Sequence, residues 1–209
     1  YWDKNKLKLQ LNTMIKYPNV GLCFSNSIFF RKNFKRKLYN HKPNDGYIFE
    51  SLLRRYFISF DTVFIDMNII KKLKHGFDEK FTITHDLDLI IRLSMITEFK
   101  YIDKVLSYWR IHEQSFSKNK ISLINFEKGM FFKKLKKILS KNKNKKYLLN
   151  LFKENINETV LEENFLRGNK KKIVENIFKH KNLNARNIFL LTLLHIPGGK
   201  KIYLKLKKS

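Results

Sequence analysis

Up to Ser117 the chain alternates short β-rich runs with helical periodicities; beyond it the β-rich runs stop and lysine-rich helical spacing takes over. Strand and helix alternation is most simply satisfied by a sheet with helices packed on it. The expected fold class is therefore α/β over residues 1–120, followed by a helical region over residues 121–209. Leu7, Leu11 and Ile15 recur at helical spacing until Pro18, which predicts a helix over residues 4–16. The run NVGLCFSNSIFF predicts a buried strand, YIFESLLRRYF a short helix, and ISFDTVFID a second strand. NIIKKLKHGFDEKF predicts a short helix closed by Gly76 with a loop after it, and LDLIIRLSMIT a helix with Leu89, Ile90, Leu93 and Ile96 on one apolar face, capped by Thr84 or Asp86. KYID and VLSYWRI predict two further short β segments. The tail predicts helices over 147–166, 169–180 and 185–195, broken at Gly168 and Asn182, with KNKNKK at 141–146 as a linker.

With 209 residues, 43% of them apolar, the chain can bury a core. Its one cysteine, Cys23, excludes a disulfide framework and a cysteine-rich metal site. No apolar stretch approaches the roughly 20 residues needed to cross a bilayer. The net charge of +26 raises nucleic acid as a partner. However, the cations are 36 Lys against 8 Arg in a chain also rich in Asn, as expected of an AT-rich coding sequence, and no cluster of guanidinium groups with interleaved aromatics stands out. Residues 1–120 carry 22 basic and 12 acidic side chains, +10, while residues 121–209 carry 22 and 6, +16. The tail is the expected electrostatic contact surface. Its NIFLLTLLHIPGGKKIYLKLKKS end joins an apolar run to a basic amphipathic one, suited either to an anionic membrane interface or to docking as a terminal helix.

Seven stretches stand in one order between Trp2 and Ser117: WDKNKLKLQ, YPNVGLCFSN, FDTVFID, GFDEKF, HDLDLIIRLS, YIDKVLSYWRIH and SFS. In that order they resemble the second half of the family 2 glycosyltransferase domain, a GT-A fold. The resemblance implies transfer of a sugar, with inversion, from a nucleotide-diphosphate donor to a cell-surface glycan or lipid-linked acceptor. It also implies a divalent metal, Mg or Mn, held mainly by an aspartate motif that ends just before Tyr1, so Asp3 falls outside it. The nucleotide-binding half is then expected upstream, and the fragment alone is expected to be inactive. A cytoplasmic location, peripheral on the inner face of the membrane, goes with that assignment.

Inverting transfer needs a carboxylate to take the proton of the incoming hydroxyl. The resemblance puts Asp86 in that role, with His85 standing where the family usually has an acid; an ordinary helix N-cap is the simpler alternative. Asp88, two residues on, is the rival carboxylate and is counted among the substrate contacts; a place on the helix flank, at a first-turn site favourable to anions, is its plainer role. Arg110 and His112 alternate in an extended segment and share one face. The resemblance lets Arg110 steady the leaving diphosphate and His112 ligate the metal. It also makes Gly76, Phe77 and Asp78 a loop flanking the acceptor pocket and adds Thr62 to the substrate contacts. Helix closure and strand packing are the plainer roles for Gly76 and Thr62. Arg54 and Arg55 beside Tyr56 could meet an anionic acceptor or simply be solvated. Two alternatives of other classes remain: a basic nucleic-acid-binding module and a non-catalytic membrane-associated interaction protein.

Overall fold

The computed structural model describes residues 1–112, 120–180 and 185–206. Its centre is strand β1 (Val20–Arg31), in which Leu22, Cys23 and Phe24 are fully buried. Strand β4 (Glu98–Arg110) runs parallel to β1 from Val20↔Glu98 to Phe30↔Arg110. Thus KYID and VLSYWRI are one continuous strand. On the other side of β1, two short strands share its length, both antiparallel: β3 (Phe64–Ile65) at Leu22 and Cys23, and β2 (Phe34–Lys37) from Ile28 to Arg31. The result is a four-stranded mixed open sheet. The outer edge of β4 is closed at two points by antiparallel bridges, Trp2↔Ser107 and Gly46↔Phe99. Gly46 adopts φ +87°, a conformation that favours glycine, and exchanges two backbone hydrogen bonds with Phe99.

Nine α-helices lie among the described residues: α1 (Lys6–Lys16), α2 (Phe49–Arg54), α3 (Met67–Lys71), α4 (His85–Leu93), α5 (Ile121–Ile138), α6 (Lys145–Arg167), α7 (Lys170–His180), α8 (Ala185–His195) and α9 (Gly199–Leu206). One apolar cluster joins Phe24 of β1, Leu52 of α2, Leu89 and Ile90 of α4 and Phe99 of β4 to Phe131 of α5 and Phe152 of α6. A second cluster holds Leu161 and Phe165 of α6 with Ile173, Ile177, Leu190, Leu193 and Tyr203. The αL residue Gly168 ends α6, where the N–H of Asn169 donates to Asn164 O and that of Gly168 to Phe165 O, a glycine-closed helix end. Gly21 lacks a side chain for a different reason: a Cβ there would lie 2.5 Å from Thr97 Oγ1 and 2.7 Å from Ile69 Cγ1.

Several expectations are corrected. The segment 58–66 is not one strand; a 3-10 turn over Phe60–Thr62 precedes the two residues of β3. Asp61 turns inward there and accepts hydrogen bonds from the hydroxyls of Ser59, Ser27 and Ser107. That turn leaves the carbonyls of Thr62 and Val63 in need of donors, and helix α1 supplies them. Gln10 Nε2 donates to Thr62 O at 2.7 Å, and Lys6 Nζ to Val63 O at 3.2 Å and to Gln10 Oε1 at 2.6 Å. Lys6 and Gln10 are therefore buried, whereas Leu7, Leu11 and Ile15 are exposed. Helix α3 ends at Lys71, well before Gly76, and Gly76 is not among the positive-φ glycines. Ile96 lies beyond the end of α4 and is exposed. The break foreseen at Asn182 lies outside the described residues. No helix among the described residues is long and apolar enough to cross a membrane.

Candidate active site

Helix α4 begins where an unusual amount of hydrogen bonding converges. Thr84 is the residue before its first turn, but its side chain does not cap the helix. Instead Glu127 of α5 reaches across. Its carboxylate accepts from the N–H of Thr82 at 2.8 Å, of Ile83 at 3.0 Å and of Thr84 at 2.8 Å, and from the Thr84 hydroxyl at 2.9 Å. Burial alone would raise the Glu127 carboxyl, but these donors outweigh it and hold its pKa below the ordinary value. These N–H groups precede α4, and the half-buried carboxylate within its first turn is that of Asp86. Its Oδ1 accepts from the Leu87 N–H at 2.8 Å and its Oδ2 from the Tyr56 hydroxyl at 3.2 Å. Burial raises the Asp86 pKa despite those bonds and the neighbouring His85, and burial together with Asp86 pushes the Tyr56 phenol well above its usual value.

Asp88 and Thr62, foreseen as substrate contacts, are sealed inside. Asp88 is fully buried and paired with Arg92 at 2.6 Å and with Lys134 at 2.7 Å. Its position one helical turn before Arg92 builds a brace rather than a binding group, since Arg92 also donates to the carbonyls of His75 and Gly76 and so ties down that loop. Thr62 is fully buried, its hydroxyl donating to Ser59 O at 2.6 Å. Lys134 also takes up Asp78, at 2.7 Å, and that hydrogen bond lowers the Asp78 pKa. Of the foreseen loop, Phe77 is left with half its surface open, its ring at an angle to Phe60 and His85.

Asp86 opens onto a cleft of about 930 Å³ that reaches from Arg54, Arg55 and Tyr56 across α5 and α6 to Phe189 and Tyr203. Lys128 lies in its wall, with Nζ donating to Asn155 Oδ1 at 2.7 Å; Asn155 in turn donates to Arg54 O at 3.1 Å. Burial lowers the Lys128 pKa to about 8, opposed by the charges of Glu158 and Glu162. Neither Glu127 nor Lys128 stood out in the sequence. Their signal was there: Ile124, Phe131 and Leu135 mark the inward face of a lysine-rich helix, and 127 and 128 fall on that face, where a charge must have a partner.

Arg110 and His112 are brought together, but elsewhere. With Tyr1, Trp2, Asp61, Tyr108 and Trp109 they line a separate shallow cavity of about 310 Å³. Phe60, next to Asp61 in the turn, meets the His85 ring edge-on. Among the described residues no three His, Cys, Asp or Glu side chains converge as a metal site, and Asp61 already accepts three hydroxyl hydrogen bonds. The donors here do not by themselves fit a divalent cation. The SFS stretch at 115–117 lies outside the described residues. No known family model matches the chain, and a search of curated proteins found no significant match.

Proposed function

We propose that the chain is the acceptor-side part of a family 2 glycosyltransferase of GT-A type, with Asp86 as the general base. The observation that carries this is the placement of Asp86 in the first turn of α4: a half-buried carboxylate whose pKa burial raises, held by the Tyr56 hydroxyl and the Leu87 N–H, lines a large cleft. Raising the pKa of the Asp86 carboxyl makes its carboxylate a stronger base toward a hydroxyl proton. In the reaction, the acceptor hydroxyl oxygen bonds to the anomeric carbon of the donor and its proton passes to Asp86. The bond from that carbon to the nucleoside diphosphate breaks from the opposite face, and the configuration inverts. The Tyr56 hydroxyl, donating to Oδ2, holds the carboxylate toward the cleft. On this assignment the donor-binding groups and the metal aspartates belong to the other half of the domain, and Arg110 and His112, which line the separate cavity, would meet the leaving diphosphate from there.

The test is Asp86→Asn in the enzyme with its donor-binding half. Asn preserves shape and an acceptor for the Leu87 N–H but has no useful proton affinity. The turnover rate is expected to fall roughly 100- to 10,000-fold while donor binding is kept. Retention of more than about a tenth of the rate, too small a loss for a general base, would remove Asp86 from the role.

A further inference from the structure

The cleft beside Asp86 is built from two sources, the start of α4 with residues 54–56 on one side and the helical region on the other. The chain carries a formal charge of +26, yet the ionisable groups lining this cleft balance: Arg54, Arg55 and Lys128 against Asp86, Glu158 and Glu162. A phosphorylated or carboxylated occupant would meet three carboxylates as well as three cations, so its charge gains little net attraction there. A neutral polyhydroxylated occupant loses nothing by that balance. Each of its hydroxyls donates to a carboxylate and accepts from an ammonium or guanidinium. The ring of Phe189, 42% exposed, and that of Tyr203 give the apolar faces of such a molecule a surface to cover.

Resting on the glycosyltransferase assignment, we propose that this cleft takes the acceptor as an uncharged glycan, with Lys128 as a specificity-determining residue that donates to an acceptor hydroxyl. Lys128 is almost wholly buried, and its Nζ donates to Asn155 Oδ1 at 2.7 Å and, at 3.5 Å, to Thr159 Oγ1, which leaves one of three ammonium donors for an occupant. Its lowered proton affinity reflects the same shortage of solvation, which a bound hydroxyl relieves. The helical region is then half of the acceptor site.

The 209-residue chain is titrated against neutral oligosaccharides (maltotriose, diacetylchitobiose, lactose) and against a uronic-acid and a phosphorylated oligosaccharide, at physiological and at high salt. At least one neutral glycan is expected to bind independently of salt. Lys128→Met should weaken that binding roughly tenfold or more, the worth of a hydrogen bond to a charged group, and Lys128→Arg less. Phe189→Ala, at an exposed position that leaves the far-UV spectrum unchanged, should also weaken it. Binding of anionic glycans alone, falling with salt, would overturn the proposal. So would neutral binding indifferent to Lys128→Met and Phe189→Ala, or no binding at all. The underlying assignment fails separately. Lys128-dependent neutral binding without sugar transfer by the enzyme carrying its donor half refutes the transferase and keeps the ligand class. Transfer with an acceptor KM indifferent to Lys128→Met does the reverse.

Discussion

Glu127 shows how one side chain can organise the approach to a helix. Backbone N–H groups that neither sheet nor helix satisfies need other acceptors. Here a carboxylate from a helix more than forty residues away accepts from Thr82, Ile83 and Thr84 together, just before α4. Glu127→Ala is expected to destabilise the fold by about 2 to 4 kcal/mol, since it strands several buried donors at once, and Glu127→Gln by less. Chemical denaturation measures both. Because folding lowers the Glu127 pKa, its stabilising contribution is present above the unfolded value of 4.5 and is lost as pH falls through the folded one. Sequence spacing placed Asp86 at the start of a helix, as observed, but Glu127, Lys128 and the inward role of Asp88 depend on which helix packs over which. No local pattern carries that information.

At the level of elements, hydrophobic patterning was read well where burial covers both faces and poorly where polar bonds decide orientation. Strand β1 and helix α4 were legible because each carries an unbroken apolar run that is fully buried, Leu22 to Phe24 and Leu89 to Ile91. Helix α1 was legible as a helix but not in its facing. Its apolar stripe lies outward because two frayed carbonyls at residues 62 and 63 recruit Lys6 and Gln10. The segment 58–66 has strand propensity throughout, yet the hydroxyls of Ser27, Ser59 and Ser107 draw Asp61 into a turn that propensity does not encode. Opposite substitutions separate the two faces of α1. Leu7→Gln and Leu11→Gln are expected to change stability by within about 0.5 kcal/mol, as surface positions do. Gln10→Ala should cost about 1 to 3 kcal/mol, because the Thr62 carbonyl loses its donor. Thermal melts of the four proteins decide between them, and a larger loss at Leu7 would reverse the orientation of the helix.

For the whole molecule, buried ionisable groups shape an alkaline stability profile. Lys128 binds its proton less tightly folded than unfolded, so the unfolded chain holds more protons between about 8 and 10.5 and stability rises with pH in that window. Lys6 acts in the same direction. Burial raises the Cys23 thiol to about 12, from 9.0, and the Tyr101 phenol to about 12, from 10.0, with Tyr39 and Tyr56 shifted the same way. These acids keep protons in the fold that the unfolded chain releases, so they lower stability progressively above about pH 9. Unfolding free energy is expected to rise by on the order of 1 kcal/mol from pH 8 to 9 and then turn over. Urea titrations across that range check it, and Lys128→Met should flatten the rise while leaving the turnover.

Helix α6 is held at Leu148 and Phe152 by one apolar cluster and at Leu161 and Phe165 by the other. A rod clamped in two vices does not melt all at once. The smaller clamp is expected to release before the larger, a sub-global opening in which α7, α8 and α9 come away and the first half of α6 stays fixed. Phe189 and Tyr203, which line the far wall of the cleft, would leave with them. Filling the cleft and ordering the C-terminal helices should then favour one another.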